Sequence, residues 1–357
     1  MIRHMDIDER DRLLILLPHP DDETLATGGL IQHALAAQAA LCVVIATDGD
    51  NNPWPQRWIE KCWSIDAAAR ARWGARRREE ARSALSILGV EDSAVHHLGW
   101  PDQGLTDLLM RDALAEDQLV RLTDDFSPSM IVAPAICDRH PDHNALGMML
   151  ELVLARQDRT GCRRFSYVVH GETRPEESVP LRMTSQEQQT KQRALQAHHT
   201  QLSLSRRRMC RLAQRAERYR PLSGGVADVA GWRHAWTLPR VFRSAGTHAL
   251  ELLLILCFSD RVVRARLPIE TQDGETRVDI GRGAEQPLVV KLRKAGRCLD
   301  LELPDDALIE RGFAKLERAG HRLVVYDREG WIEMDRARWP PGRGRMPADR
   351  EPGVQME

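Results

Sequence analysis

The stretch Pro18-His19-Pro20-Asp21-Asp22-Glu23 places one imidazole and three carboxylates within five consecutive positions. Charges that close repel one another, and burying them without partners is costly. A divalent cation resolves the conflict. A second cluster, His140-Pro141-Asp142-His143-Asn144, again combines imidazole with carboxylate. Each cluster follows an apolar run, residues 13–17 before the first and 130–135 before the second, and each leads into a helix-forming stretch. Both therefore fall where a strand ends and a helix begins, in the crevice outside the carboxyl ends of an α/β sheet. If the two strands are adjacent and parallel, the clusters meet and form a His/Asp metal site. Three protein ligands would leave a fourth position for water, the mark of a catalytic zinc site. Helix capping at two unrelated turns is the plainer alternative, but it explains neither two histidines three residues apart nor the matching edge positions.

The elements that must position these groups follow from hydrophobic patterning. Residues 13–17, 41–46, 95–98, 130–135 and 164–169 read as strands; 24–39, 76–88, 107–124, 143–155 and 191–219 read as helices. The continuous apolar run at 41–46 suits a parallel sheet covered on both faces. The predicted fold is α/β, a Rossmann-like, mainly parallel sheet with helices on both faces. An insertion at residues 51–74 carries Trp54, Trp58, Trp63 and Trp73, either as a substrate-binding lid or as a small satellite core. After Pro221-Leu222-Ser223-Gly224-Gly225 the composition changes. Short strands are expected at 232–238, 249–258, 262–267, 276–280, 288–292, 298–303 and 322–326, which predicts an all-β, sandwich-like accessory domain. The expected organisation is 1–222 and 223–338, with a tail at 339–357 too rich in Pro, Gly and Arg to bury a core.

A chain of 357 residues fits two domains at roughly 100–200 residues each. With 51 basic and 52 acidic residues there is no global electrostatic reason to expect nucleic-acid binding. The 7 cysteines are odd in number, scattered and without a Cys-x-x-Cys pair, which points to reduced thiols and a cytoplasmic location. Residues 1–12 lack the apolar core of a signal peptide, and the longest apolar run, 250–258, is too short to span a bilayer, so no transmembrane segment is expected. An oligomer is compatible with the sequence. Arg206, Arg207, Arg208, Arg211, Arg215 and Arg218 form a basic face, either solvated or suited to acidic lipid or a phosphorylated glycan.

The paired motifs resemble those of the LmbE-like, or PIG-L, family of zinc-dependent N-acetylglucosaminyl deacetylases. Residues 18–23 are similar to the family's Ala-His-Pro-Asp-Asp-Glu, with Pro18 in place of Ala, and His140-Pro141-Asp142-His143 matches its second motif. The resemblance covers about residues 12–220. It implies zinc held by His19, Asp22 and His143, with another divalent metal such as Fe2+ compatible with the same donors. It implies Asp21 as general base and proton carrier, His140 as oxyanion stabiliser, and Asp142 holding an imidazole by its second nitrogen. By the same resemblance Arg77, in an Arg-x-x-Glu pattern with Glu80, reaches the substrate unless it forms a structural ion pair. Asp102 contacts a sugar hydroxyl unless it only bonds its own turn. Trp54 and Trp58 are further substrate-binding candidates. Lys191, Thr200 and Gln201 match a pattern that closes the site from the side. His170 would be a wall residue, and Cys137 a spare soft donor or a small buried hydrophobe. The implied reaction removes acetyl from an N-acetylglucosamine-type amino sugar in a glycoconjugate or small molecule. An amidase acting on a larger amide of an amino-sugar conjugate would need a roomier pocket. A non-catalytic glycan-binding protein would lack a ligand or the base.

Overall fold

The computed structural model describes residues 5–157, 161–222, 232–238, 250–270, 272–280, 288–304, 309–318 and 326–334. The chain opens with β1 (Arg12–Leu17), whose apolar run is buried from Leu13 to Leu17. It is followed by α1 (Asp22–Leu25), α2 (Gly28–Ala36), β2 (Ala40–Thr47), α3 (Pro53–Glu60), α4 (Ala67–Leu88) and β3 (Val95–Trp100). Next come α5 (Leu105–Arg111), α6 (Leu114–Phe126), β4 (Met130–Pro134), α7 (Pro141–Arg156), β5 (Arg163–Tyr167), β6 (Val179–Pro180), α8 (Ser185–Gln196), α9 (His199–Ala213) and β7 (Arg218–Pro221). These strands form one seven-stranded sheet in the order β3-β2-β1-β4-β5-β7-β6. The first five are parallel, while β7 runs antiparallel to β5 and to β6.

Strand order reverses between β1 and β4, which pair directly with Ile15 opposite Val132. That is the topological switch point, where crossovers leave in opposite directions and open a crevice. One core, with Ile15, Leu17, Leu30 and Leu195, covers one face of the sheet. A second, with Leu14, Leu16, Leu146 and Met149, covers the other.

The expected first helix is broken at Ala26 and Thr27. The carboxylate of Glu217 accepts from Gly29 N at 2.7 Å and Leu30 N at 3.0 Å, taking the free donors that open α2. A Cβ at Gly29 would meet Met183 Sδ at 2.5 Å, so a larger residue there would have to displace that side chain. The expected loop at 51–74 is largely helical: Asn52 caps α3 and Asp66 caps α4. The expected helix at 107–124 is two helices, and the stretch 191–219 divides into the end of α8, α9 and β7.

Beyond Pro221 the described strands are β8 (Trp232–Thr237), β9 (Leu250–Cys257), β10 (Val262–Pro268), β11 (Gly274–Ile280), β12 (Leu288–Ala295), β13 (Cys298–Leu303), β14 (Arg311–Arg318) and β15 (Ile332–Glu333). They build two antiparallel four-stranded sheets, β10-β9-β14-β15 and β11-β12-β13-β8. Leu252, Leu254 and Leu256 of β9 face Val290, Leu292 and Leu301 of the other sheet. Leu253, Ile255 and Cys257 on its reverse side pack with Phe313 and Trp331 into the core under α7. Burial on both faces explains the uninterrupted apolar run of β9. β14 escapes a pattern reading because its Lys315 is fully buried. The strand expected at 322–326 lies outside the described residues up to 325, and so does the tail at 339–357; Tyr326 itself is in a bend.

Candidate metal centre and its surroundings

The turn after β1 places His19, Asp21 and Asp22 at the switch point; α7 begins at the second cluster, with His140 as its N-cap. Asp21 has φ 122°, a conformation that a residue with a side chain rarely adopts. Such strain costs about 1–3 kcal/mol and persists only where surrounding contacts over-determine the backbone. Here they do: Arg77 Nη2 donates to Pro20 O at 2.5 Å and reaches Asp21 Oδ2 at 3.2 Å, while Asp21 N donates to Glu23 at 2.8 Å.

Two imidazoles converge on one carboxylate oxygen. His19 Nδ1 lies 3.3 Å and His143 Nε2 3.2 Å from Asp22 Oδ2. Behind each ring stands another carboxylate. Asp142 Oδ2 is 3.0 Å from His19 Nε2 and is fixed by Gln103 N at 2.7 Å, with Leu105 N at 3.1 Å from its other oxygen. Asp138 Oδ2 is 3.5 Å from His143 Nδ1 and accepts from Val169 N and His170 N, while its other oxygen accepts from His140 N. Carboxylates behind ligand imidazoles set ring orientation and basicity in metal sites. His143 is fully buried, yet neither ring nitrogen has a partner in hydrogen-bond geometry. Ring nitrogens of His19, His140 and His143 also lie within 4.8 Å of one another, and His19 forms a second such group with Asp102 and Asp142.

The electrostatics favour positive charge at this point. Burial pushes the His143 imidazole down, but Asp22 and Asp138 outweigh it and lift it to about 9. His19 is likewise raised well above the usual value: burial opposes, and Asp102, Asp142 and Asp22 prevail. Asp22 is held well below the carboxylate range despite burial, chiefly by His143. Asp21 goes the other way, to about 6, because burial outweighs the Arg77 charge and Asp22 repels it. His140 is pushed well below the usual imidazole value by burial and by His19. A field shaped for positive charge, an imidazole whose nitrogens lie outside hydrogen-bond geometry and a shared carboxylate oxygen together fit a divalent cation.

The remaining predicted residues fall into two places. Asp102 joins the cluster: its Oδ2 accepts from Asn51 N at 2.7 Å and its Oδ1 is 3.4 Å from His19 Nε2. Arg77 is buried, its guanidinium engaged by Gly49 O, Pro20 O and Asp21. Trp54, Trp58 and Trp63 are 64%, 66% and 85% exposed and line a separate surface pocket with Arg57, Lys61, Cys62 and Leu204. Trp73 is fully buried, so only it belongs to a core. Cys137 is exposed and is not among the converging donors. Lys191 pairs with Glu217 at 2.6 Å, and Thr200 donates to Glu80.

Several neighbours were not singled out from the sequence. Asp138 stands two residues before His140, so a wider view of that motif would have included it. His198 lies 2.6 Å from Glu23, across 175 positions, with no local signal. The segment 326–331 clamps the second motif: Asp327 N donates to Arg139 O at 2.8 Å and Trp331 N to Ile136 O at 2.7 Å. A Cβ at Gly330 would sit 2.3 Å from Ile136 O, which explains glycine there. Lys315 Nζ reaches Asn144 Oδ1 at 3.1 Å and Asp327 Oδ2 at 2.7 Å.

Residues 14–153 match the family PIG-L, GlcNAc-PI de-N-acetylase. The similarity to the PIG-L (LmbE-like) family is thus carried by residues 14–153. A 1D-myo-inositol 2-acetamido-2-deoxy-alpha-D-glucopyranoside deacetylase of Mycobacterium sp. (strain KMS) is 35% identical over 147 residues, 37% of this chain and 46% of that protein. The protein of the same name from Saccharomonospora viridis is 26% identical over 235 residues, 54% of this chain and 85% of its own. The chain thus spans about half the length of the first of these relatives, 46%. Among solved structures, N,N'-diacetylchitobiose deacetylase from Pyrococcus horikoshii overlaps at a TM-score of 0.46 with 18% identity, over 59% of this chain and 83% of its own. GalB, the 4-carboxy-2-hydroxymuconate hydratase from Pseudomonas putida KT2440, overlaps at 0.45 with 17% identity, over 63% of this chain and 99% of its own. Among the described residues, no helix is long and apolar enough to cross a membrane.

Proposed function

We propose that this protein hydrolyses the N-acetyl amide of an N-acetylglucosamine-type amino sugar with a divalent metal, zinc in the first instance, held by His19, Asp22 and His143. The observation that carries the reading is the buried His143, whose ring nitrogens lie near Asp22 and Asp138 but outside hydrogen-bond geometry, converging with His19 on Asp22 Oδ2 beside the strained Asp21. The cation would supply Lewis acidity, acidifying water and polarising a carbonyl.

The chain's own residues account for the rest. Asp21, fixed by Arg77, takes the proton of the attacking water and delivers it to the amine nitrogen as the C–N bond breaks. His140 Nδ1 accepts from Asp142 N at 3.2 Å, so the neutral ring carries its proton on Nε2. That N–H, at the N-terminus of α7, is suited to donate to the oxyanion that forms on the acetyl carbonyl. Asp142 and Asp138 hold His19 and His143 in orientation. The division at about residue 222 belongs to the same proposal, with the second unit buttressing the site through Lys315 and residues 326–331.

The test is mass spectrometry of N-acetylglucosaminides incubated with the protein. Loss of one acetyl group with release of acetate is expected. Intact acetamides combined with cleavage of a larger amide would replace the deacetylase reading with the amidase one.

A further inference from the structure

Next to the histidine cluster lies a pocket of about 650 Å³ between α9, the loop after β5 and the segment at residue 326. Arg139, Arg208, Arg211, Arg215 and Arg328 line it, and among the described residues Glu172 is the one acid in its wall. Among the described residues, no carboxylate lies within ion-pair distance of Arg139, Arg208, Arg211 or Arg215; Arg328 lies 4.0 Å from Glu329 and donates to Thr237 O at 3.1 Å. Other arginines do pair with acids, such as Arg264 with Glu116 at 2.6 Å and Arg311 with Glu151 at 2.9 Å.

The pocket is built rather than incidental. Arg208 Nη2 contacts His170 Nδ1 at 3.2 Å, bonds the Tyr326 hydroxyl and lies 5.0 Å over the Tyr326 ring. Arg139 Nε donates to Asp327 O at 3.2 Å. It also abuts the reacting centre. The His170 ring is 4.9 Å from that of His143, and the Tyr326 ring is 5.8 Å from that of His140. The arginine wall thus adjoins the cluster through Arg208, whose partner His170 lies near His143.

We infer that this arginine pocket is a phosphate subsite, so that the substrate is a phosphorylated amino sugar whose phosphate lies here while its acetamide faces Asp21. Guanidinium forks match phosphate oxygens in geometry, and several together exceed the charge of a single carboxylate. The substrate part of this inference rests on the deacetylase reading; the phosphate site does not.

Inorganic phosphate is the first probe, titrated into the full chain and followed by calorimetry. Phosphate should bind, and the Arg211→Ala/Arg215→Ala variant should bind it about tenfold or more weakly, the loss expected for charge-assisted hydrogen bonds. Both side chains are exposed, so the variant should keep its melting temperature. Phosphate that coordinates a metal instead would bind both proteins equally, and equal binding, or none to the wild type, overturns the subsite. The second probe is acetate release from an N-acetylglucosamine phosphate and from its neutral methyl glycoside. The double variant should raise KM about tenfold for the phosphorylated compound and leave the neutral one unchanged; an equal change in both overturns the assignment. Running the phosphorylated sugar free and as a phosphodiester lipid in vesicles identifies the source by which one shows the arginine-dependent KM, and dependence in neither overturns it. If no compound releases acetate, the deacetylase reading fails, while the phosphate titration still decides the subsite.

Discussion

Two buried charged centres meet α1, one at Leu25 O and the other at Asp22, and they differ in one respect. At the first, Lys191 Nζ is 2.6 Å from Glu217 Oε1 and 3.1 Å from Leu25 O. Glu217 also accepts from Gly29 N, Leu30 N and the Tyr219 hydroxyl. Donors and acceptors are matched, and the result is architecture: a charge pair that ends one helix and starts the next. At the second, His19, Asp22 and His143 crowd together, yet His143 keeps both ring nitrogens outside hydrogen-bond geometry. A folded protein rarely leaves buried polar atoms unmatched without a reason. The contrast separates a charge pair matched within the chain from an imidazole whose geometry the proposed metal would account for.

Substitutions at the two centres should therefore fail in different ways. The largest effect is expected at Asp22. Asp22→Asn should lose metal content and turnover together, because an amide is the weaker ligand. Asp21→Asn should keep the metal and lose about 10²–10⁴-fold in rate, the usual contribution of a general base. Metal analysis and turnover on both variants check this; metal loss confined to Asp21→Asn would reverse the two roles. Lys191→Met should leave Glu217 buried and uncompensated and cost about 3–5 kcal/mol in chemical denaturation, with turnover per folded molecule retained. Adding Glu217→Gln should recover part of that loss, whereas full stability in the single variant would erase the contrast.

A smaller effect should come from His198. Burial pushes its imidazole down, but Glu23 outweighs burial and raises it above the ordinary value. A raised folded value means that the contribution to stability is complete below about pH 6.5 and fades as pH rises through the folded value. Melting temperature should thus fall more between pH 6 and pH 9 in the wild type than in His198→Gln, and superimposable profiles would contradict the pairing. Smallest of all in stability are Trp54→Ala and Trp58→Ala, expected within about 0.5 kcal/mol because both indoles are exposed. If they contact substrate, KM should rise without a change in melting temperature.

What was legible in the sequence follows from locality. His19, Asp21 and Asp22 share one turn, His140, Asp142 and His143 share another, and adjacent parallel strands bring the turns together. The two-layer cover of the sheet was legible for the same reason, through continuous apolar runs such as β2. The break between α1 and α2 was not, because its cause, Glu217, arrives from 188 positions away. β14 was hidden by Lys315, a charge held by Asp327 and by Asn144, the latter 171 positions away. Tyr326 and Gly330 gave no signal either, since only packing of the β-sheet pair against α7 carries them to the second motif. Arg77 was visible, but its use by Gly49 O and Pro20 O depends on the folded turn.

The central claim is that His19, Asp22 and His143 form a metal centre on which hydrolysis depends. Its most direct test strips the protein of metal, verifies this by elemental analysis, and titrates zinc back while following acetate release from an N-acetylglucosaminide. The account predicts no release from the stripped protein, recovery that saturates at one zinc per chain, and neither binding nor recovery in His143→Ala. Full acetate release by the metal-free protein, or zinc binding that His143→Ala leaves unchanged, would contradict it.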